Sequence, residues 1–148
     1  RREIGDRAFF DTLRAYLERF GGGTATTTDF WEAAEEVSGQ DLDIFFEQWV
    51  YRVDNPSVSL YWTAEGEVLA CQEDEPFVFD LPLAFVNDDG DGEGSDWLDT
   101  AQLPIDERAE RAAFSLRFEA DQLWVDPAQD VLADVDLQQV SALPNACP

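Results

Sequence analysis

The chain has 148 residues, of which 45% are hydrophobic and 13% aromatic, so it can bury a core and is not wholly disordered. Thirty-three acidic residues outnumber nine basic ones, all arginine, and the formal net charge of −24 disfavours nucleic acid and anionic membranes as partners. No apolar stretch approaches the roughly 20 residues of a membrane span. The scattered acids predict a heavily hydrated surface rather than a cation-binding one.

The first third of the chain has helical periodicity. Residues 6–20 place apolar side chains at three- and four-residue spacing, and the glycines at 21–23 end this predicted helix. A second helix is predicted over residues 30–37, with Asp29 as its N-cap and Glu32 completing a capping pair.

A third predicted helix carries a strongly aromatic face. Asp41 is its predicted cap, and Phe45, Phe46 and Trp49 follow on one side. Three short helices with so much aromatic surface are not expected to be stable alone in water. We therefore expect them to pack against one another and against a further partner, and self-association through them is a second expectation.

After residue 56 the apolar residues no longer recur at helical spacing but at every second position. Val58, Leu60 and Trp62 alternate with polar neighbours, and the Glu65-Gly66 turn leads into a second strand at 68–72. Further strands are predicted at 77–85, 97–103, 113–119, 123–126 and 131–137, while 104–112 fits either a strand edge or a helical turn. The predicted fold class is α+β, a short helical segment over residues 1–53 followed by an antiparallel β-sandwich over residues 54–148.

Histidine is absent from the sequence, and this excludes most catalytic sites. Zinc motifs such as H-E-x-x-H and Ser–His or Cys–His nucleophiles all need an imidazole. No catalytic residue is therefore assigned, and an independent enzyme that uses carboxylates is the least favoured alternative. Trp62, Trp97 and Trp124 are interpreted as core residues rather than as a platform for carbohydrate.

One loop has the spacing of a calcium site. Asn87, Asp89, Asp91 and Glu93 occupy the first, third, fifth and seventh positions of such a loop. Leu98 stands at the twelfth position, where a bidentate Glu is expected, and the flanking segments are strands. A solvated turn is the favoured interpretation, and calcium binding is the alternative.

Two cysteines, Cys71 and Cys147, allow a single disulfide. An exported protein would favour that pairing, with the near-terminal cysteine attaching the tail to the sheet. Two unrelated thiols, one buried in a strand, are the alternative, and the sequence does not decide between them.

Several segments resemble the membrane alanyl aminopeptidase family of zinc metallopeptidases, the gluzincin aminopeptidases. They are IGDRAFF at residues 4–10, GTATTTDF at 23–30 and, most closely, VSGQDL at 37–42 running into FFEQWV at 45–50. In that family this series closes the helical catalytic domain, and a β-sandwich follows a link such as Asn55-Pro56. The segments FDLPL at 79–83 and VDP at 125–127 resemble strands of that sandwich.

The resemblance implies a supporting role. The family's zinc ligands, its amine-binding motif and its catalytic Tyr would all precede Arg1, and Tyr16, Tyr51 and Tyr61 do not match that Tyr. The expected function is a non-catalytic C-terminal fragment that scaffolds the preceding peptidase domain of the same polypeptide, with zinc in that parent.

Two further expectations accompany the resemblance. The acidity and the family's frequent occurrence outside the cytoplasm favour an extracellular or periplasmic location, and a chain that begins inside a helix without Met is expected to be a fragment or processed product. The alternative function is a stand-alone β-sandwich module for binding or interaction, with calcium as its ligand.

Overall fold

The computed structural model describes residues 1–73, 75–88 and 97–148. Over these residues the chain forms two compact units, Arg1–Val53 and Asp54–Pro148. The first unit is helical and the second consists of two β-sheets. The predicted α+β fold class is therefore confirmed.

The helical unit contains α1 (Gly5–Phe20), α2 (Thr27–Ser38) and α3 (Asp43–Phe46), which continues into a π-helical turn, Glu47–Tyr51. Helix α1 lies against α2. A small cluster of buried side chains lies where α2 and α3 meet, and its buried members are Ala34, Leu42 and Phe46.

The beginning of α2 differs from the prediction. Thr26, not Asp29, is the N-cap, and its hydroxyl accepts a hydrogen bond from the backbone N–H of Asp29 at 3.3 Å. The Asp29 carboxylate in turn accepts from the backbone N–H of Thr26 at 2.7 Å, which completes a capping box. The predicted cap was wrong because aspartate at the third helical position can serve the box as glutamate does. Hydrogen bonds from the Thr26 hydroxyl and backbone lower the pKa of Asp29.

The start of α3 was also predicted too early. The helix begins at Asp43, although Asp41 still takes part in the turn by accepting the Asp43 backbone N–H at 3.0 Å. The short side chain of Asp41 therefore closes a local turn before the helix rather than capping the helix itself.

The described residues of the second unit form seven strands in two sheets. They are β1 (Ser57–Trp62), β2 (Glu67–Gln72), β3 (Phe79–Asn87), β4 (Trp97–Ile105), β5 (Ala109–Ala113), β6 (Gln122–Val125) and β7 (Asp134–Gln139). One sheet has the order β5-β2-β1-β7 and the other has the order β4-β3-β6. Strand β7 pairs with β1 in parallel, whereas the other four strand pairs among the described residues are antiparallel, so the predicted antiparallel sandwich is confirmed with one parallel pair. The chain reaches β7 from the opposite sheet, where no tight hairpin constrains its direction.

The inner faces of the two sheets form one continuous core. The alternation predicted for β1 is confirmed, because Val58, Leu60 and Trp62 are all buried. Trp124 is 47% exposed, so its assignment to the core was wrong: Leu123 takes the inward position and the next side chain points outward. The side chain of Trp97 lies outside the described part of the chain. The buried members of the core are Val58, Leu60, Trp62, Val68, Ala70, Leu81, Leu83, Phe85, Leu103, Ile105, Ala120 and Leu123.

The strand predicted at 113–119 was wrong, and β5 instead occupies the segment that was ambiguous. It is an edge strand of alanines and charged residues, and its apolar alternation is too weak to stand out in the sequence. The chain beyond β5 packs on the predicted turn at Gly66, which has φ +91°, and a Cβ there would lie 2.6 Å from the Phe114 carbonyl oxygen. Only glycine fits this close approach.

Cys71 and Cys147 form a disulfide with their Cα atoms 5.7 Å apart. The first lies in β2, and the second lies in the tail that follows β7. The Arg111 side chain of β5 also donates to the Pro144 carbonyl oxygen of this tail. The tail is thus bonded to the sheet that contains β2 and β7. The sequence left the pairing of the two cysteines undecided, and the structure shows them paired.

Candidate functional site

The aromatic side chains of the helical unit are the first candidate for a functional surface. The indole of Trp31 stacks on the ring of Phe46 at a centroid distance of 5.0 Å and an interplanar angle of 8°. Phe45 contacts the same ring edge to face at 5.5 Å. Phe46 is only 4% exposed, so this side chain packs within its own unit and does not reach a further partner.

Other apolar side chains of this unit project into solvent. Leu17 of α1 is 65% exposed and Ile44 of α3 is 60% exposed. Val50 and Tyr51, in the π-helical turn, are also exposed. Phe10 and Val53 bring the large exposed apolar residues of this 53-residue unit to six, against three buried cluster members, so much of its apolar surface is uncovered.

Two buried polar atoms of the helical unit have no hydrogen-bond partner within the described residues. They are Oγ1 of Thr12 in α1 and Nε1 of Trp31 in α2. A buried polar group without a partner costs roughly 1–3 kcal/mol. The interior of this unit is therefore small, and two of its buried polar atoms lack hydrogen-bond partners.

Three carboxylates lie together between α2 and α3, a grouping that the sequence analysis missed. One carboxylate oxygen from each of Glu35, Asp41 and Asp43 lies within 4.8 Å of the corresponding oxygens of the other two. Burial and the neighbouring carboxylates, Asp41 first, raise the pKa of Asp43. Glu35 accepts the Leu42 backbone N–H at 2.8 Å, so it also holds the link between the helices. The only signal in the sequence was the spacing of three acids around a helix break.

These residues do not fit the zinc site that the family resemblance implies. That site requires imidazole nitrogens from an H-E-x-x-H helix, and the sequence contains no histidine. The group between α2 and α3 offers only carboxylate oxygens, which suit hard cations instead. No catalytic step is assigned to these side chains.

The predicted calcium loop falls mostly outside the described residues. Asn87 is described at the end of β3, and its side-chain amide donates to the Glu119 carbonyl oxygen at 2.8 Å. Asp89, Asp91 and Glu93 lie outside the described range. Asn87 thus has a structural hydrogen bond that joins two chain segments, and calcium binding at this loop stays a prediction.

The described helices include none that is long and apolar enough to cross a bilayer. This agrees with the hydropathy of the sequence, in which charged residues interrupt every apolar stretch.

Comparison with known proteins finds similarity to peptidases, beginning with the helical unit. Residues 1–49 match the sequence model of the Peptidase family M1 domain. Aminopeptidase N of Lactococcus lactis subsp. lactis is 30% identical over 90 residues, which cover 56% of this chain and 11% of that protein. The puromycin-sensitive aminopeptidase of Caenorhabditis elegans is 28% identical over 105 residues, 69% of this chain and 10% of that protein.

The fold has a solved counterpart. The crystal structure of Legionella pneumophila aminopeptidase A in complex with aspartic acid superposes with a TM-score of 0.64 at 15% identity, over 91% of this chain and 16% of that one. The chain spans about a tenth of the length of the curated relatives it matches. The resemblance to the aminopeptidase family is therefore confirmed: this chain is related to the M1 aminopeptidases and corresponds to a small part of them.

Proposed function

We propose that these residues are a non-catalytic structural part of a larger zinc aminopeptidase. In this proposal residues 1–53 complete the helical catalytic domain, and residues 54–148 form the β-sandwich domain that follows it. The chain itself binds no substrate and supplies no catalytic group. Zinc is expected in the peptidase region of the parent protein.

One combination of observations supports the proposal most strongly. The match to the peptidase domain ends at residue 49, and no histidine occurs anywhere in the sequence. The chain is therefore related to a peptidase domain without containing the imidazoles that a zinc peptidase needs. A scaffold role is the function that remains for such a segment.

The surface of the helical unit gives the scaffold role a physical basis. Leu17 and Ile44 expose most of their side-chain area, and burying either against a peptidase domain would contribute about 1.5–3 kcal/mol. The unpaired Oγ1 of Thr12 supports the same interpretation, because a unit that is completed by a neighbour need not be optimal alone.

The test compares the same substitution in two contexts. Ile44→Glu should leave the melting temperature of the 148-residue chain nearly unchanged, because the side chain is already exposed. In the longest protein encoded by the same reading frame it should lower both the melting temperature and the rate of amino-acid anilide hydrolysis. Arg7→Gln is the matched control, since that side chain is 98% exposed on α1.

Two outcomes would contradict the proposal. One is an Ile44→Glu protein of full length that melts and hydrolyses anilides as the unsubstituted protein does. The other is anilide hydrolysis by the 148-residue chain alone that survives treatment with a chelator.

An extracellular or periplasmic location is part of the proposal. The Cys71–Cys147 disulfide supports it, because disulfides persist in oxidising compartments and are rare in the cytosol. Thiol labelling of protein isolated from its source under acid quench is the direct check. We expect no free thiol, and two labelled cysteines would contradict export.

A further inference from the structure

The two sides of the sandwich differ in how they are closed. On one side the edge strands β4 and β5 contact each other across the two sheets. On the other side, between β6 and β7, lies a groove of about 410 Å³. Its lining combines the polar residues Asp126 and Gln129 with apolar side chains that include Leu81, Val125, Val131, Val135 and Leu137.

The loop that forms one wall of this groove is held in a fixed shape. Asp126 and Gln129 have positive φ angles of 45° and 56°, which are uncommon for residues with a Cβ. The Asp126 carboxylate accepts the backbone N–H of Asp130 at 2.9 Å and that of Val131 at 2.8 Å. Both carboxylate oxygens are thus used inside the loop, which gives the groove a preformed wall.

Strand β7 presents an unpaired backbone edge beside the groove. The Asp134 N–H donates to the Pro56 carbonyl oxygen and the Val140 N–H donates to that of Trp62, both at 2.9 Å. Alternate residues of a parallel ladder face the neighbouring strand, so the peptide groups of Val135 and Leu137 face away from β1. Within the described residues no strand pairs with β7 on that side.

The side chains of β7 alternate in character as well as in direction. Val135 and Leu137 line the groove, while the exposed Asp134 and Asp136 lie on the opposite face of the strand. A strand added beside β7 would follow the same alternation. Its inward side chains would meet apolar groups, and its outward side chains would meet carboxylates.

The chain segment that forms most of the groove and the β7 edge carries only acidic charges, which favours a cationic partner. Residues 118–148 contain no Arg or Lys, and their acidic residues are Glu119, Asp121, Asp126, Asp130, Asp134 and Asp136. A second copy of this chain would carry its own net charge of −24. Repulsion between the two copies opposes pairing of their β7 edges.

We propose that this groove and the β7 edge bind an extended, basic segment of a separate polypeptide. The segment adds to the sheet as a strand beside β7, inserts alternate apolar side chains into the groove and places the intervening Arg or Lys side chains beside Asp134 and Asp136. This mode of recognition takes affinity from main-chain hydrogen bonds and specificity from alternate side chains. It does not depend on any relation to peptidases.

The probe is the peptide acetyl-RVRVRVR-amide, titrated calorimetrically into the 148-residue chain at about 0.15 M salt, where long-range attraction is screened. We expect one site per chain. The double variant Asp134→Asn/Asp136→Asn should weaken binding by roughly tenfold, since two ion pairs are lost. Leu137→Ser should also weaken it, and circular dichroism would show that both variants remain folded.

Matched controls separate strand addition from general attraction between opposite charges. Glu18→Gln/Glu32→Gln removes two exposed charges from the helical unit and should leave binding unchanged. The same peptide N-methylated at alternate residues should not bind, because it cannot complete the ladder. Equal binding of the methylated peptide, or an equal loss in the Glu18/Glu32 variant, would overturn the proposal. A chain that sediments as a dimer and loses this dimer with Leu137→Ser would also overturn it, with a second copy as the occupant.

Discussion

The helical unit and the sandwich differ most in how much of their apolar surface they bury internally. Among the described residues, the sandwich has a continuous core of twelve buried residues from both sheets, whereas the helical cluster has three. The helical unit also contains the two buried polar atoms that lack partners. A region with a complete core can be stable by itself, and a region with an incomplete one depends on its surroundings.

The largest expected effect comes from truncating one aromatic ring in each region. Phe85→Ala should destabilise the sandwich by about 4 kcal/mol, because the ring is fully buried between the sheets. Phe46→Ala should abolish most of the helical signal and leave the sandwich transition where it is. Denaturant titration followed by circular dichroism and by tryptophan fluorescence measures both, and a single shared transition shifted equally by both variants would break the contrast.

The second effect comes from the disulfide, which constrains only the sandwich. Cys147→Ser should lower the stability of the sandwich by roughly 2–4 kcal/mol, since the bond closes a long loop with a sequence separation of 76 residues. The helical unit contains no cysteine, so its unfolding should not change. Reduction of the unsubstituted chain is the control and should reproduce the shift. A reduced chain that melts at the original temperature would contradict the tail's structural role.

The smallest expected effect is a gain in stability for the helical unit, compared with a loss for the sandwich. Thr12→Val replaces a buried hydroxyl that has no partner by a methyl group of similar shape, so it should stabilise the helical unit by about 1 kcal/mol. Thr63→Val, at a buried threonine of the sandwich whose hydroxyl accepts the Glu67 N–H at 3.3 Å, should destabilise. Thermal melts of both variants give the signs, and a loss of stability for Thr12→Val would mean that the hydroxyl is satisfied in solution.

The sequence predicted those features of the fold that depend on strong local periodicity. Helix α1 and the alternation of Val58, Leu60 and Trp62 each have one dominant period, and both elements were placed correctly. Strand β5 was left undecided between a strand edge and a helical turn, because an edge strand of small and charged residues has almost no period. The parallel direction of β7 was missed because it depends on a path between two sheets, which no local pattern records.

Candidate sites were harder to predict than the fold. The absence of histidine led to the expectation that these residues hold no zinc, an expectation that depends on composition alone and stays a prediction. The groove beside β7 could not be foreseen, because Leu81, Val125 and Val135 come together only through the stacking of two sheets. The burial of Phe46 was likewise a matter of tertiary packing, as its position on the aromatic face did not show which neighbour would cover it.

Hydrogen exchange of backbone amides, resolved by residue, tests the central contrast most directly. We predict that amides of the sandwich strands exchange only through global unfolding, whereas amides of α1 and α2 in the same chain exchange at least about a hundredfold faster. If the peptidase region that we propose precedes this chain is added, it should slow the helical amides to the rate of the sandwich. Equal protection of helices and strands in the 148-residue chain would contradict the view that the helical unit needs a partner.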